Sequence, residues 1–423
     1  MLKSIVRSRL EKYAKKYFKH HHPKLIVVAG SVGKTVTKHT IASALRSAGY
    51  KVRMAEGNYN SDMSVPLALL GVDYPEDGVH SIKSWLKVFK EMKAVIKDDK
   101  EPDFIVQELG TDHPGEIAHF GTYLSPDLAV VTAITPEHME NFKDLDAVAN
   151  EELDVTDYSE KVLINMDDSP ATCIQDSFFT YGLNPKVDYS FRILEKEPLK
   201  GFSGCFKSRE LSSLEVSTQV SSEQQLKSMV AAAAVLAKYD ATEAQIVKAF
   251  AQINPVPGRM RVLEGKNDTI LIDDTYNSSP AAAEAALKTL YDVDAPERIA
   301  VLGSMNELGE TSEEEHKKLG GFCDAKKLNL VVTIGEEAKK HLAPAAKKAG
   351  CEVVSFLNPK LAGEYIEEHA SRFAVILYKG SQNGVYVEEA LKCMLKNKAD
   401  SEKLVRQSKL WMNQKKEILK KTK

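Results

Sequence analysis

The 423-residue sequence contains no Cys-x-x-Cys pair, and its five cysteines (Cys173, Cys205, Cys323, Cys351 and Cys393) are scattered and odd in number. A disulfide framework and a structural zinc site are therefore not expected, and a reducing, cytoplasmic compartment is. No apolar run reaches about eighteen residues, so no segment is expected to span a membrane. The N-terminus lacks the apolar core of a secretory signal. Charge of one sign is not in excess either. The formal net charge is −3, which gives no electrostatic reason to expect nucleic acid as a partner. Internal repeats and low-complexity tracts are absent. What remains is ordinary globular composition, 43% hydrophobic and 28% charged, on a chain long enough for two or three domains.

The first 22 residues stand apart. Lys3, Arg7, Arg9, Lys12, Lys15, Lys16, Lys19 and, just beyond, Lys24 surround a stripe of Ile5, Val6, Leu10, Tyr13, Tyr17 and Phe18 at helical spacing. Such a helix either lies on an anionic membrane surface through residues 1–22 or docks on its own protein with the basic face in water. Docking is the commoner outcome. His20, His21 and His22 read as a solvated helix end, because three consecutive side chains on a helix cannot converge on one metal.

From Lys24 strands and helices alternate. Leu25–Ala29 is an apolar run ending at glycine, the pattern of a buried parallel strand, and Lys34–Ala48 is helical in pattern. Phe104–Val106, Leu128–Val131 and Lys161–Ile164 read as further strands. Short β-type segments at Tyr189–Leu194 and Leu214–Val220 suggest an antiparallel appendage, and Glu223–Tyr239 a helix. Pro255-Val256-Pro257-Gly258 breaks the pattern and marks a domain boundary. After it the βα alternation restarts and runs to about Leu395, with a charged, helix-prone tail beyond Asp400. The expected fold class is α/β, with three parts: the basic helix 1–23, a central domain 24–255 built on a mostly parallel sheet, and a second doubly wound, Rossmann-like domain 256–423 with a helical tail.

Gly30-Ser31-Val32-Gly33-Lys34-Thr35 carries the chemistry. A strand ends, glycines turn the chain, and a helix begins whose first N–H groups favour an anion. Lys34 would neutralise β- and γ-phosphate charge, and the Thr35 hydroxyl would bind Mg²⁺. The spacing is shorter than the general phosphate loop, since Val28 stands where that pattern has glycine. ATP and Mg²⁺ are thus the expected cofactors. Glu108 and His138 each follow an apolar strand and are candidate ligands of a divalent ion. Base-reading and switch-loop motifs are missing, which favours chemistry on a bound substrate over a nucleotide switch.

With these residues the sequence resembles the Mur ligase family over about residues 24–395. Beside the short phosphate loop, Gly57-Asn58-Tyr59-Asn60 resembles the family's asparagine-rich loop near the reacting carboxylate. Glu108-Leu109-Gly110 and Glu137-His138-Met139-Glu140 resemble its two metal-ligand loops. Pro257-Gly258-Arg259-Met260 resembles the interdomain turn, and Asp273–Pro280 the segment that closes over the nucleotide. The resemblance implies an ATP-dependent ligase that joins a carboxylate to an amine through an acyl phosphate, as in cell-wall precursor synthesis. Its implied substrates are a nucleotide-sugar peptide and a dipeptide, and its expected state is a monomer. Lys34 and Arg259 would spread the charge of phosphoryl transfer, Asn58 and Asn60 would position the carboxylate, and Asn277 would touch the nucleotide. Rivals are a related ligase acting on a polyglutamate or folate chain and a nucleotide-regulated binding protein without ligase activity.

Three departures from the family pattern stand out. Only about twenty-three residues precede the phosphate-loop strand, where the family usually has a UDP-binding domain. At the position of the lysine that the family carbamylates to brace its second metal stands Glu152, expected as a metal ligand whose carboxylate takes the carbamate's place; Glu151 is the alternative, and a solvated helix face a third. Gly303-Ser304-Met305 replaces a Gly-Asp-Met.

Overall fold

A computed structural model of the chain describes residues 2–57, 59–75, 81–98, 100–136, 141–306, 308–381 and 384–421. The contacts divide it into two compact units, one of 1–196, 202–219 and 223–254, the other of 197–201, 220–222 and 255–423.

In chain order the first unit contains α1 (Leu2–His20), β1 (Lys24–Ala29), α2 (Lys34–Ser47), β2 (Val52–Arg53), α3 (Val65–Leu70), α4 (Ile82–Lys97), β3 (Phe104–Glu108), α5 (Glu116–Phe120), β4 (Leu128–Val131), α6 (Leu145–Leu153), β5 (Val162–Asn165), β6 (Phe179–Gly182), β7 (Tyr189–Glu197), β8 (Gly201–Lys207), β9 (Leu214–Thr218), α7 (Glu223–Lys238) and α8 (Glu243–Gln252). Among the described residues its strands form one sheet in the order β2-β3-β1-β4-β5-β6-β7-β8-β9. β1 lies parallel between β3 and β4, with Val28 opposite both Glu108 and Val130. The chain leaves β1 toward one side of the sheet and later returns to its other side. A crevice therefore opens at the carboxyl ends of these three strands, where α/β sheets bind ligands.

The strands form because β-branched and aliphatic runs such as Leu25-Ile26-Val27-Val28 are covered on both faces. α7 is buried nearly all round through Ala231–Ala234 and its neighbours, and the small side chains let it lie close against α2. Thr37 Oγ1 and Ser228 Oγ meet there at 2.9 Å, which holds α2 and its N-terminus in place.

α1 is docked. Val6, Leu10, Tyr13, Ala14 and Tyr17 are buried in the core of the first unit, so truncating Leu10 or Tyr17 to alanine would cost about 2–5 kcal/mol. Ile5 does not join them and is 59% exposed. The expectation of a solvated histidine run fails at its middle residue. His21 is buried, with its Nδ1 3.1 Å from Glu101 Oε2 and its Nε2 3.1 Å from the Ile96 carbonyl. The expected antiparallel appendage is half correct: β8 and β9 pair antiparallel, but β7 continues the parallel sheet beside β6.

The second unit contains β10 (Arg261–Glu264), β11 (Ile270–Asp274), α9 (Pro280–Tyr291), β12 (Arg298–Gly303), α10 (Ser312–Phe322), β13 (Leu330–Ile334), α11 (Ala343–Lys348), β14 (Val353–Phe356), α12 (Pro359–His369), β15 (Val375–Lys379), α13 (Glu388–Met394) and α14 (Lys409–Lys421). Its sheet runs β10-β11-β15-β12-β13-β14, antiparallel only at β10–β11. Apolar cores lie on both faces of this sheet. Among the described residues, no helix is long and apolar enough to cross a membrane.

Candidate active site

The phosphate loop sits at the carboxyl end of β1. Gly30 has φ +118°, and a Cβ there would lie 2.6 Å from Thr132 Oγ1 and 2.8 Å from the Ala133 carbonyl. Gly33 has φ +91° and forms the N-cap of α2. Both conformations are costly for any other residue. Ser31 pins the loop to the segment after β4, donating N–H to the Ala133 carbonyl and accepting from Thr135 N through its Oγ. Val32 is exposed at the tip. Gly33 has no side chain to cap α2 and no acid occupies the first turn, so the positive end of the helix favours an anion beside Lys34 and Thr35. Lys34 Nζ folds back on the loop, donating to the carbonyls of Gly30 at 2.5 Å and Ser31 at 3.2 Å.

Glu152 lies behind this loop. Its Oε2 accepts from Gly30 N at 2.6 Å, and its Oε1 is 3.9 Å from Lys34 Nζ. The neighbouring Glu151 does something different. It accepts from Gly115 N, Ile117 N and Thr111 Oγ1, closing the N-terminus of α5. Both side chains are buried, which rules out the solvated helix face.

Glu108 ends β3, next to the loop across the sheet. It is buried, and its Oε1 accepts from Asn60 Nδ2 at 3.2 Å. Its Oε2 accepts no hydrogen bond among the described residues and lies 3.5 Å from Lys38 Nζ. Lys38 is one turn beyond Lys34 on α2. It also donates to the carbonyls of Ala55 and Gly57, and so ties the asparagine-rich loop to α2. Gln107 Nε2 holds the same loop through the Tyr59 carbonyl. Gly110 N donates to the Asn60 carbonyl, and a Cβ on Gly110 would strike the Asn60 amide at 2.7 Å. Asn58 and His138 lie outside the described residues.

Among the described residues no three His, Cys, Asp or Glu side chains cluster around a common point. Of the expected metal ligands that are described, Glu108 offers its buried Oε2 and Thr35 a hydroxyl at the start of α2, while Glu152 is engaged by Gly30 N and lies 3.9 Å from Lys34 Nζ. They are hard ligands, few in number, and suit Mg²⁺, which usually takes one or two protein oxygens and completes its shell with phosphate and water.

The second unit has its own polar cluster around the loop after β11. Asp273 accepts from Gly258 N at 2.9 Å and from Thr275 Oγ1, and Asp274 accepts from Met260 N at 3.2 Å. The turn carrying Arg259 is thus pinned at two points, and the guanidinium stacks 4.2 Å from the Tyr276 ring centroid. Burial pushes the Asp273 carboxyl up to about 6, against the hydrogen bonds from Thr275 and Gly258. Lys379 pairs with Asp274 at 3.0 Å and donates to the Asn277 carbonyl, while Ser381 Oγ donates to Asn277 Oδ1. Burial lowers the Lys379 ammonium, and Asp274 opposes that. Asn277 is therefore held by its backbone and its side chain.

Arg406 donates to the carbonyls of Thr275 and Tyr276 and to both oxygens of the fully buried Glu388. Lys415 on α14 pairs with Glu388 and Glu389 at 2.8 and 2.6 Å. Burial alone would raise the Glu388 carboxyl, but Arg406 and Lys415 together hold it below its usual value. Ser304 accepts from Ala338 N at 3.0 Å, so it caps a neighbouring helix.

Sequence reasoning missed Lys38, Gln107, Arg406 and the brace formed by Asn165, Asp168 and Lys227. Asn165 Nδ2 donates to the Thr132 carbonyl, and Lys227 pairs with Asp168 at 2.7 Å. A signal existed for Lys38, a charged residue four positions after Lys34 on the buried face of a helix, and for the polar run Asn165-Met166-Asp167-Asp168 directly after an apolar strand.

Comparison with known proteins agrees with this arrangement. Residues 28–236 match the Mur ligase middle domain, and residues 258–382 match the Mur ligase, glutamate ligase domain. The UDP-N-acetylmuramoyl-tripeptide–D-alanyl-D-alanine ligase of Bacillus subtilis (strain 168) is 25% identical over 402 residues, covering 92% of this chain and 79% of the relative. The enzyme of the same name from Escherichia coli (strain K12) is 24% identical over 387 residues, covering 88% of this chain and 77% of the relative. The crystal structure of MurF from Acinetobacter baumannii superposes with a TM-score of 0.72 at 23% identity, over 91% of this chain and 79% of that one. Folylpolyglutamate synthase from Thermotoga maritima superposes at 0.64 and 16% identity, over 94% of this chain and 95% of that one. The chain belongs to the Mur ligase family of ATP-dependent acid–amino-acid ligases.

Proposed function

We propose that the chain adds D-alanyl-D-alanine, or a closely similar dipeptide, to the terminal carboxylate of a muramoyl-peptide precursor. The residue-level support is the phosphate loop at the β1 crevice beside a buried carboxylate, Glu108, one oxygen of which faces Lys38 Nζ at 3.5 Å and accepts no hydrogen bond among the described residues. The relatives of that name that align along most of the chain support the substrates.

A carboxylate resists attack by an amine because an oxide would have to leave. Transfer of the γ-phosphoryl of ATP to a carboxylate oxygen forms an acyl phosphate and releases ADP. The dipeptide's free amine then attacks the acyl carbon. The C–N bond forms, the C–O bond to phosphate breaks, inorganic phosphate departs and the amine gives up a proton. The N–H groups at the start of α2, together with Lys34, would hold the β- and γ-phosphates. Lys34 would exchange the Gly30 and Ser31 carbonyls for phosphate oxygens. Arg259 would neutralise γ-phosphate charge, Asn58 and Asn60 would orient the carboxylate, and Asn277 would contact the nucleotide. Mg²⁺, held by Thr35, Glu108 and His138, would supply charge neutralisation at the phosphates. Glu152 takes the place of a carbamylated lysine: its carboxylate lies behind the loop and forms without CO₂. The boundary near residue 255 separates the ATP-binding part from the part that carries the amine.

The test is phosphate release with purified chain, ATP and Mg²⁺. Release that requires both UDP-muramoyl-tripeptide and D-alanyl-D-alanine supports the proposal. Release with a folate or polyglutamate acceptor instead would assign the other branch of the family. Hydrolysis independent of any acceptor would remove the ligase reading.

A further inference from the structure

We propose that the outer faces of α1 and α4 form a docking surface for an anionic lipid bilayer. Both helices spend their apolar stripes on the same core, α1 through Val6, Leu10, Tyr13 and Tyr17, α4 through Trp85, Val88, Phe89 and Met92. They lie side by side, with the Tyr13 and Phe89 rings 5.8 Å apart and the Arg9 guanidinium 4.7 Å from the Phe89 centroid. Their remaining faces therefore form one continuous surface on a rigid base.

That surface is strongly basic. Lys3, Lys12, Lys15, Lys16 and Lys19 are exposed on α1, and Lys83, Lys87, Lys90, Lys93 and Lys97 on α4. Each helix contains a single acid, Glu11 and Glu91. Glu11 is engaged by His119 at 2.8 Å and by Arg7 at 3.7 Å. The chain as a whole has a formal net charge of −3, so cationic charge is concentrated here against an acidic remainder. Three large apolar side chains stand out among these lysines: Ile5, Ile82 and Leu86, exposed by 59%, 63% and 59%. Ile82 and Leu86 are one turn apart on the same face of α4.

This combination selects the partner. Lysines draw the protein to anionic headgroups, and aliphatic side chains between them enter the boundary with the acyl chains. A nucleic-acid surface would instead favour arginine forks and exposed aromatic rings for stacking. Tyr13, Tyr17, Trp85 and Phe89 are all turned inward. The membrane contact differs from one made by the amphipathic stripe of α1 itself, since that stripe is committed to the core.

Flotation of the full chain with phosphatidylcholine vesicles, with and without about one third phosphatidylglycerol, tests the proposal. Binding is expected only to the anionic vesicles, weakened at least about tenfold by roughly 0.5 M salt. The triple variant Lys83→Glu, Lys87→Glu, Lys90→Glu should abolish it. The pair Ile82→Ser, Leu86→Ser should weaken it at low salt while leaving the melting temperature unchanged. Equal binding to both vesicle types, no loss in the triple variant, or tighter binding to duplex DNA than to the vesicles would overturn the proposal.

Discussion

Replacing Lys38 by methionine tests the architecture of the site most directly. The substitution keeps the length of the buried side chain and removes its charge. Lys38 Nζ lies 3.5 Å from Glu108 Oε2 and donates to two loop carbonyls at 3.2 Å each. Both partners of the ion pair are nearly inaccessible, at 2% and 4% side-chain exposure. Removing one half leaves a buried carboxylate with Asn60 as its remaining hydrogen-bond donor, which costs about 3–5 kcal/mol. In a unit of this size each kcal/mol lowers the melting temperature by roughly 2–4 °C, so a drop of about 6–20 °C is expected. Glu108→Gln alone should cost less, because Lys38 keeps its carbonyls. A double-mutant cycle by calorimetry should give a coupling of about 1–3 kcal/mol between positions 38 and 108. If Glu108 also receives Mg²⁺, added Mg²⁺ and ATP should stabilise Lys38→Met more than the parent, since the cation replaces the missing charge. A shift under about 0.5 kcal/mol for Lys38→Met, or strict additivity in the cycle, would refute the reasoning.

Gly30→Ala forces a side chain into φ +118° against Thr132 Oγ1 and the Ala133 backbone; it should cost at least about 2 kcal/mol and weaken ATP binding at least about tenfold, read by calorimetric titration. Glu152→Gln keeps an acceptor for Gly30 N but removes the charge; turnover should fall about tenfold or more and the Mg²⁺ requirement should rise, and unchanged values would end the proposed role. Asp273 has a folded pKa of about 6, above the 3.8 of an unperturbed carboxyl. Its ionised form is therefore penalised in the folded state; the penalty is absent below about pH 4, grows between pH 4 and 6, and is complete above about pH 6. Relative to Asp273→Asn, the parent should gain on the order of 1–3 kcal/mol between pH 7.5 and pH 5 in urea unfolding.

The sequence by itself determined the features carried by short segments. A wholly apolar strand, two glycines, a lysine and a threonine specify the phosphate loop, because backbone conformation and helix start are local properties. The alternation of strands and helices on either side of Pro255 was legible for the same reason. Tertiary structure alone decided which faces meet. Glu151 and Glu152 are neighbours in sequence but project about 100° apart on α6, so the packing of that helix sends one to the phosphate loop and the other to the start of α5. His21 reads as a solvated helix end until the Ile96 carbonyl and Glu101, some eighty residues away, enclose it. Lys38 stands out in the sequence only as a charge on the buried face of a helix, and its partner emerges when β3 brings Glu108 beside it. Burial of charge and choice of partner depend on residues distant in the chain, and no local pattern encodes them.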